Sequence, residues 1–166
     1  MSGQAPTLAD LAARHRQEIL AYLVRLLGNS HDAQDACQDA FLRAHRAFPR
    51  LRHGTNLRAW LYRIATNTAL NAARGRARRS AGALDVDPDA LPAAADLSAE
   101  RRATLRAVAR AANALPPRQR AALVLRQFQG LAYAEIAASL GGSEEAARAN
   151  VYQAIRTLRR ALGVTP

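Results

Sequence analysis

Lysine is absent from this chain of 166 residues: all 24 basic side chains are arginine. Arginine grips phosphate and guanine edges with a two-pronged fork, although a GC-rich coding sequence also produces all-arginine usage. Cysteine is nearly absent. The single Cys37 excludes an internal disulfide framework and fits a reducing cytoplasm. It falls on the apolar face of its segment, which favours a small buried hydrophobe over a reactive thiol. No apolar run reaches the roughly 18 residues a membrane span needs, so no membrane insertion is expected. The opening MSGQAPTLADLAARHRQ lacks the basic segment and apolar stretch of a secretory signal, and a cytoplasmic location is expected. Hairpin signals of the Asn-Gly type are missing, which weakens any β reading. No nucleophile–base pair or metal-ligand spacing emerges. The chain therefore reads as a non-enzyme, with no catalytic residue, metal site or cofactor.

What is present is a strongly uneven charge. Residues 1–79 hold thirteen Arg and five acids; residues 80–100 hold five acids and no Arg; residues 101–166 hold eleven Arg and three acids. Two basic blocks around an acidic connector suggest two contacts with a polyanion. Almost every periodic segment has helical spacing. The expected architecture is all-α: two small helical domains, 8–79 and 101–163, joined by a flexible acidic linker over 80–100.

The first helix is predicted over 8–27, with Leu11, Ile19, Tyr22, Leu23, Leu26 and Leu27 inward and Gly28-Asn29 as its stop. Ser30 is expected to cap a second, whose apolar side runs through Ala33, Ala36, Cys37, Ala40, Phe41, Ala44 and Phe48. Asp32, Asp35 and Asp39 line its other face. A solvated face is the plain reading of such carboxylates, and a protein-docking face the alternative. After the basic loop RLRHGTN, Asn56 is expected to cap a third helix that buries Leu57, Trp60, Leu61, Ile64, Ala65 and Thr68 and ends near Arg74. Trp60 lies on this inward stripe, so it reads as core rather than as a base-stacking platform.

The C-terminal block starts near Ser98 with Leu105, Val108, Ala109 and Ala112 on one face. A helix over 117–128 opens on Pro117 and buries Ala121, Leu123 or Val124, and Phe128. A short helix at 133–140, a Gly141-Gly142 turn, Ser143 as N-cap and a long helix at 144–162 read as a helix-turn-helix over about 133–160. Packing Ile136, Ala137 and Leu140 on Ala147, Val151, Ala154 and Leu158 would turn Glu144, Glu145, Arg148, Ala149, Tyr152 and Arg156 outward. Arg148 is the foremost candidate for base or phosphate contact. Arg156, Arg159 and Arg160 lie further along, towards backbone phosphates.

In this order and spacing, DAQDACQDAFLRAHRAF followed by WLYRIATN and an Arg-rich tail resembles region 2 of bacterial sigma factors of the extracytoplasmic-function (ECF) group. The block from ALPPRQR to IRTLRRAL resembles their region 4. The resemblance covers roughly 10–79 and 101–162 and implies a three-to-four-helix bundle followed by a helix-turn-helix domain. It implies that Asp32, Asp35, Gln38, Asp39, Phe41 and Leu42 dock on core RNA polymerase. The loop 50–56 and the exposed side of the third helix would engage the −10 element of promoter DNA, through Arg50, Arg52, Asn56, Arg58, Arg63, Asn67 and Asn71. Ser143, Glu145, Arg148, Ala149, Tyr152 and Arg156 would face the −35 element. An anti-sigma factor is the further partner implied. Departures from the family pattern include Gln34, Cys37, Asn71 and Ala132, and Asn150, Gln153 and Ile155 where Arg is frequent. The competing readings are a stand-alone helix-turn-helix regulator and a sigma mimic that binds a regulatory partner.

Overall fold

The computed structural model describes residues 7–79 and 98–164, and among them every regular element is helical. Seven α-helices follow one another: α1 (Leu8–Leu27), α2 (Ser30–Ala47), α3 (Leu57–Arg79), α4 (Ala99–Asn113), α5 (Pro117–Gln127), α6 (Tyr133–Leu140) and α7 (Glu144–Ala161). Most of the acidic connector, residues 80–97, lies outside the described residues.

α1, α2 and α3 pack on one another. Thr7 and Asp10 form a reciprocal capping box at the start of α1. The helix stops at Gly28, whose φ of 71° closes it in the left-handed region. The cap of α2 differs from expectation: Asn29 Oδ1 accepts from the Asp32 amide at 3.1 Å, and Ser30 is already helical. Both side chains suit the role, and the sharp exit from Gly28 brings the earlier one into place. Ala33, Ala36, Cys37, Ala40 and Ala44 are all buried, and their small size lets α2 approach its neighbours closely. Burial pushes the Cys37 thiol pKa up and keeps it protonated, as its apolar setting suggests.

α3 departs further. It runs beyond Arg74 to Arg79, and Arg76 in its last turns is ion-paired with Asp32 of α2. Its buried positions are Ala59, Leu61, Tyr62, Ala65, Thr66, Thr68 and Ala69, while Leu57, Trp60 and Ile64 are only half-buried. The arc is wider and rotated because α3 is covered by α1 and α2 on one side and by α6 on the other. Tyr22 and Tyr62 meet edge to face at 5.2 Å in this core. Thr66 donates to the Tyr62 carbonyl and so accepts from the Tyr22 hydroxyl at 2.7 Å.

Ser98 caps α4, but α4 buries none of its residues, and Leu105 and Val108 stand exposed. α5 buries six consecutive residues, Arg120 to Leu125, because it is wedged among α1, α6 and α7. Phe128, expected inside, is 61% exposed: it caps the end of α5, and the Arg25 guanidinium of α1 lies 4.7 Å from its ring centroid. α6 and α7 cross as expected over Ile136, Ala137, Ala147, Val151 and Ala154. Arg118 donates to the Leu140 and Gly141 carbonyls and so caps the end of α6. Ala132 offers α6 no side-chain cap, and Glu135 offsets part of that loss by accepting from the Ala132 amide at 2.9 Å.

The C-terminal helices sit directly on the N-terminal ones. α5 packs on α1 and α6 packs on α3. Ser139 donates to the Ala59 carbonyl, and the buried Arg120 donates to the Leu26 carbonyl that closes α1. Arg120 also bonds the Asn113 carbonyl, so one guanidinium ties α1, α4 and α5 together.

Candidate nucleic-acid and partner interfaces

Three surfaces carry the candidate residues. On α2, Asp35 and Asp39 are well exposed and make only loose pairs with His31 and Arg43, at 3.4 and 3.6 Å. Gln38 is exposed and Leu42 is half uncovered. These side chains line one groove with Asp32, Thr68, Ala72 and Arg76, across which α3 supplies the opposite wall. Phe41 behaves differently: it is half-buried and packs against the core, so it supports the face more than it presents itself. A shallow acidic groove with an apolar edge suits a partner segment that brings cations and an aliphatic side chain.

The second surface is the loop before α3 and the side of α3 that follows. Thr55 donates to the Arg52 carbonyl at 2.7 Å, and Gly54 (φ 80°) takes the left-handed turn between them. Arg50, Arg52, Arg63, Asn67 and Asn71 are exposed. Two further candidates are already engaged. Asn56 caps α3 through the Ala59 amide at 3.0 Å and also approaches Glu135 of α6. Arg58 grips Glu18 of α1 with Nε and Nη2 at 3.2 and 3.1 Å, and Nη2 also donates to the Gln129 carbonyl at 3.1 Å. Its guanidinium lies over the Tyr62 ring, and Tyr62 in turn donates to Gln129 Oε1. The Glu18 hydrogen bonds, more than its burial opposes, raise the Arg58 pKa. Burial works to raise the Glu18 pKa, but Arg58 and His15 outweigh it and hold it below the ordinary value. Trp60 rests half-buried against Phe48, with ring centroids 6.2 Å apart.

The third surface is the outer face of α7. Ser143 caps the helix by accepting from the Ala146 amide at 3.1 Å. Ser143, Glu145, Arg148, Ala149, Tyr152 and Arg156 are all exposed on it. Glu144 pairs with Arg148 one turn on, at 2.7 Å. Bonds from its own backbone amide and from Ser143 lower the Glu145 pKa. The acidic start of the helix is thus partly neutralised by its own arginine.

Sequence reasoning passed over Glu18, Arg120 and Gln129. Glu18 and Arg58 lie 40 residues apart, and no periodicity links them. Arg120 did leave a trace: it stands four residues before Val124 on the buried side of α5, where a solvated arginine does not belong.

Residues 11–79 match the family described as Sigma-70 region 2, and residues 105–158 match the one described as Sigma-70, region 4. The chain is 37% identical over 164 residues to the ECF RNA polymerase sigma factor SigE of Mycolicibacterium smegmatis. That match takes in 93% of this chain but only 61% of SigE, less than two thirds of its length. The RNA polymerase sigma-H factor of Pseudomonas aeruginosa is 33% identical over 162 residues, covering 92% of this chain and 84% of that one. Among solved structures, the sigma factor RpoE of Bartonella quintana, in complex with the anti-sigma factor NepR, aligns with a TM-score of 0.76. That alignment has 25% identity and covers 95% of this chain and 98% of RpoE.

Proposed function

We infer the function from one premise: the chain belongs to the extracytoplasmic-function family of RNA polymerase sigma factors. It binds core RNA polymerase and directs promoter-specific initiation, with no catalysis of its own. The division of labour follows the two blocks: 8–79 docks on the polymerase and engages the −10 element, and 101–163 reads the −35 element. The observation that carries this reading is the pairing, in one chain, of an open acidic groove on α2 with an open arginine-bearing face on α7. A stand-alone DNA regulator has no use for the first.

On α2, Asp35, Gln38, Asp39 and Leu42 are the contact residues of the groove, Asp32 holds its wall through Arg76, and Phe41 backs it. On the second surface Arg50, Arg52, Arg63, Asn67 and Asn71 are free to meet DNA, whereas Asn56 and Arg58 must first release α6 and the α5–α6 turn. On α7, Arg148 stands at the end of the helix that would enter the major groove, and Arg156 lies two turns further along. Control by an anti-sigma factor is supported by the likeness to RpoE, which was solved bound to NepR.

The test is run-off transcription with purified core polymerase on genomic fragments. Specific transcripts above those of core alone are expected. Asp35→Arg combined with Leu42→Ala should abolish capture of core polymerase while leaving the melting temperature within a few degrees, since both side chains are exposed. Undiminished capture by that variant would refute the docking assignment.

A further inference from the structure

Arg148 does not swing freely over α7. Its Nη2 donates to Glu144 at 2.7 Å, and its guanidinium carbon stands 4.5 Å from the centroid of the Tyr133 ring. The same ring carries a second cation: Arg126 of α5 lies 4.6 Å from its centroid and is itself tethered to the Leu131 carbonyl at 3.0 Å. Tyr133 is the first residue of α6, half-buried and packed against the core. A continuous chain of contacts therefore runs from the α5–α6 turn through Arg126, Tyr133 and Arg148 to Glu144.

We propose that Tyr133 is a positioning residue for −35 recognition: its ring sets the pose in which Arg148 meets the promoter. The proposal rests on the reading that α7 enters the major groove. A two-pronged contact with a base demands a defined plane for the guanidinium. An arginine on a bare helix samples many rotamers and serves equally well as a phosphate counter-charge. Stacking on Tyr133 and pairing with Glu144 remove that freedom before DNA arrives. This also gives the acidic start of α7 a purpose. Glu144 holds the base of Arg148's reach rather than meeting DNA itself.

The experiment measures transcription by the full chain with core polymerase from a promoter library randomised over the −35 segment. The readout is the discrimination between the preferred sequence and its single substitutions. Tyr133→Leu keeps an apolar side chain but removes the ring; Tyr133→Phe keeps the ring. An exposed cation–π contact corresponds to about a two- to five-fold effect. Tyr133→Leu is expected to narrow discrimination by about that factor, and Tyr133→Phe to retain it. Arg148→Ala should flatten the profile by about tenfold or more. The double variant Tyr133→Leu, Arg148→Ala should be no flatter than Arg148→Ala alone, because the ring acts through that arginine. Core-polymerase affinity and melting temperature should hold for Tyr133→Leu.

Several results overturn the proposal. One is a flat profile for Arg148→Ala with an intact one for Tyr133→Leu. Others are a Tyr133→Phe loss equal to that of Tyr133→Leu, or losses that add in the double variant. A parallel fall in melting temperature and core affinity would make Tyr133 merely structural. If Arg148→Ala leaves the profile untouched, the α7 reading itself fails, and the role of Tyr133 fails with it.

Discussion

Replacing Arg58 by alanine severs the cation that joins α1, α3 and the α5–α6 turn. Three contributions are lost. The bidentate pair with Glu18 is about one third exposed, so screening limits it to about 1 kcal/mol. The bond to the Gln129 carbonyl contributes about 1 kcal/mol. The stack on Tyr62 adds about 0.5 kcal/mol. Only the Gln129 bond crosses from the 8–79 bundle to the C-terminal helices, so it alone favours the packed arrangement, by about 1 kcal/mol or about fivefold over a separated one; the other two stabilise the bundle itself. Glu18→Gln removes only the charge of a pair internal to that bundle, so about 1 kcal/mol of its stability should be lost with little change in the packing of the C-terminal helices. Hydrogen exchange across residues 125–140 and the radius of gyration in solution read this directly, with Arg58→Ala the larger effect. DNA binding separates the two variants by sign. Glu18→Gln frees Arg58 and should strengthen binding to a fork-junction −10 probe by up to about fivefold, whereas Arg58→Ala should weaken it. Equal exchange protection in Arg58→Ala and the parent would refute the packing argument. Weaker DNA binding by Glu18→Gln would refute the claim that Glu18 and DNA compete for Arg58.

Acid should loosen the same contact. Because the Glu18 pKa is depressed in the folded chain, its contribution is present above the unfolded carboxylate value and is lost as pH falls through the lower folded value. Melting temperatures of parent and Glu18→Gln should therefore converge below about pH 4; a constant gap would speak against it. Arg120→Ala leaves the Leu26 and Asn113 carbonyls without their donor and opens a cavity, at a cost of about 3 kcal/mol. Arg120→Met refills the volume without restoring the donors and should lose less in denaturant unfolding; a loss as large as that of Arg120→Ala would show that the two carbonyls, not packing, dominate. Tyr22→Phe deletes a buried hydroxyl bonded to Thr66 and should cost about 1 kcal/mol by the same measurement, with no change in core-polymerase capture.

Helical character and most helix positions were legible because they depend on short-range spacing. Alanines at 33, 36, 40 and 44 point one way whatever they meet, and Thr7, Ser98 and Ser143 cap from within their own segments. The outer face of α7 was legible for the same reason, once α6 was known to pack on the other side. Where a second surface intervenes, the pattern misleads. α3 looked like a helix with one buried stripe, but α6 covers a second side of it, so Tyr62 rather than Trp60 became the deepest aromatic. Phe128 fits the apolar spacing of α5 and yet is exposed, because at the end of the helix its ring meets the Arg25 guanidinium of α1.

By itself, then, the chain of letters determined an all-helical protein with an exposed acidic face on α2 and a helix-turn-helix near its end. Those features rest on periodicity, capping and charge within some twenty residues of one another. Only the tertiary structure decided that Asn56 and Arg58, candidates for DNA, are held by α6 and the α5–α6 turn, and that Arg148 lies over the Tyr133 ring. Such contacts join residues 15 to 79 positions apart, and no local pattern encodes which surfaces meet when the helices pack.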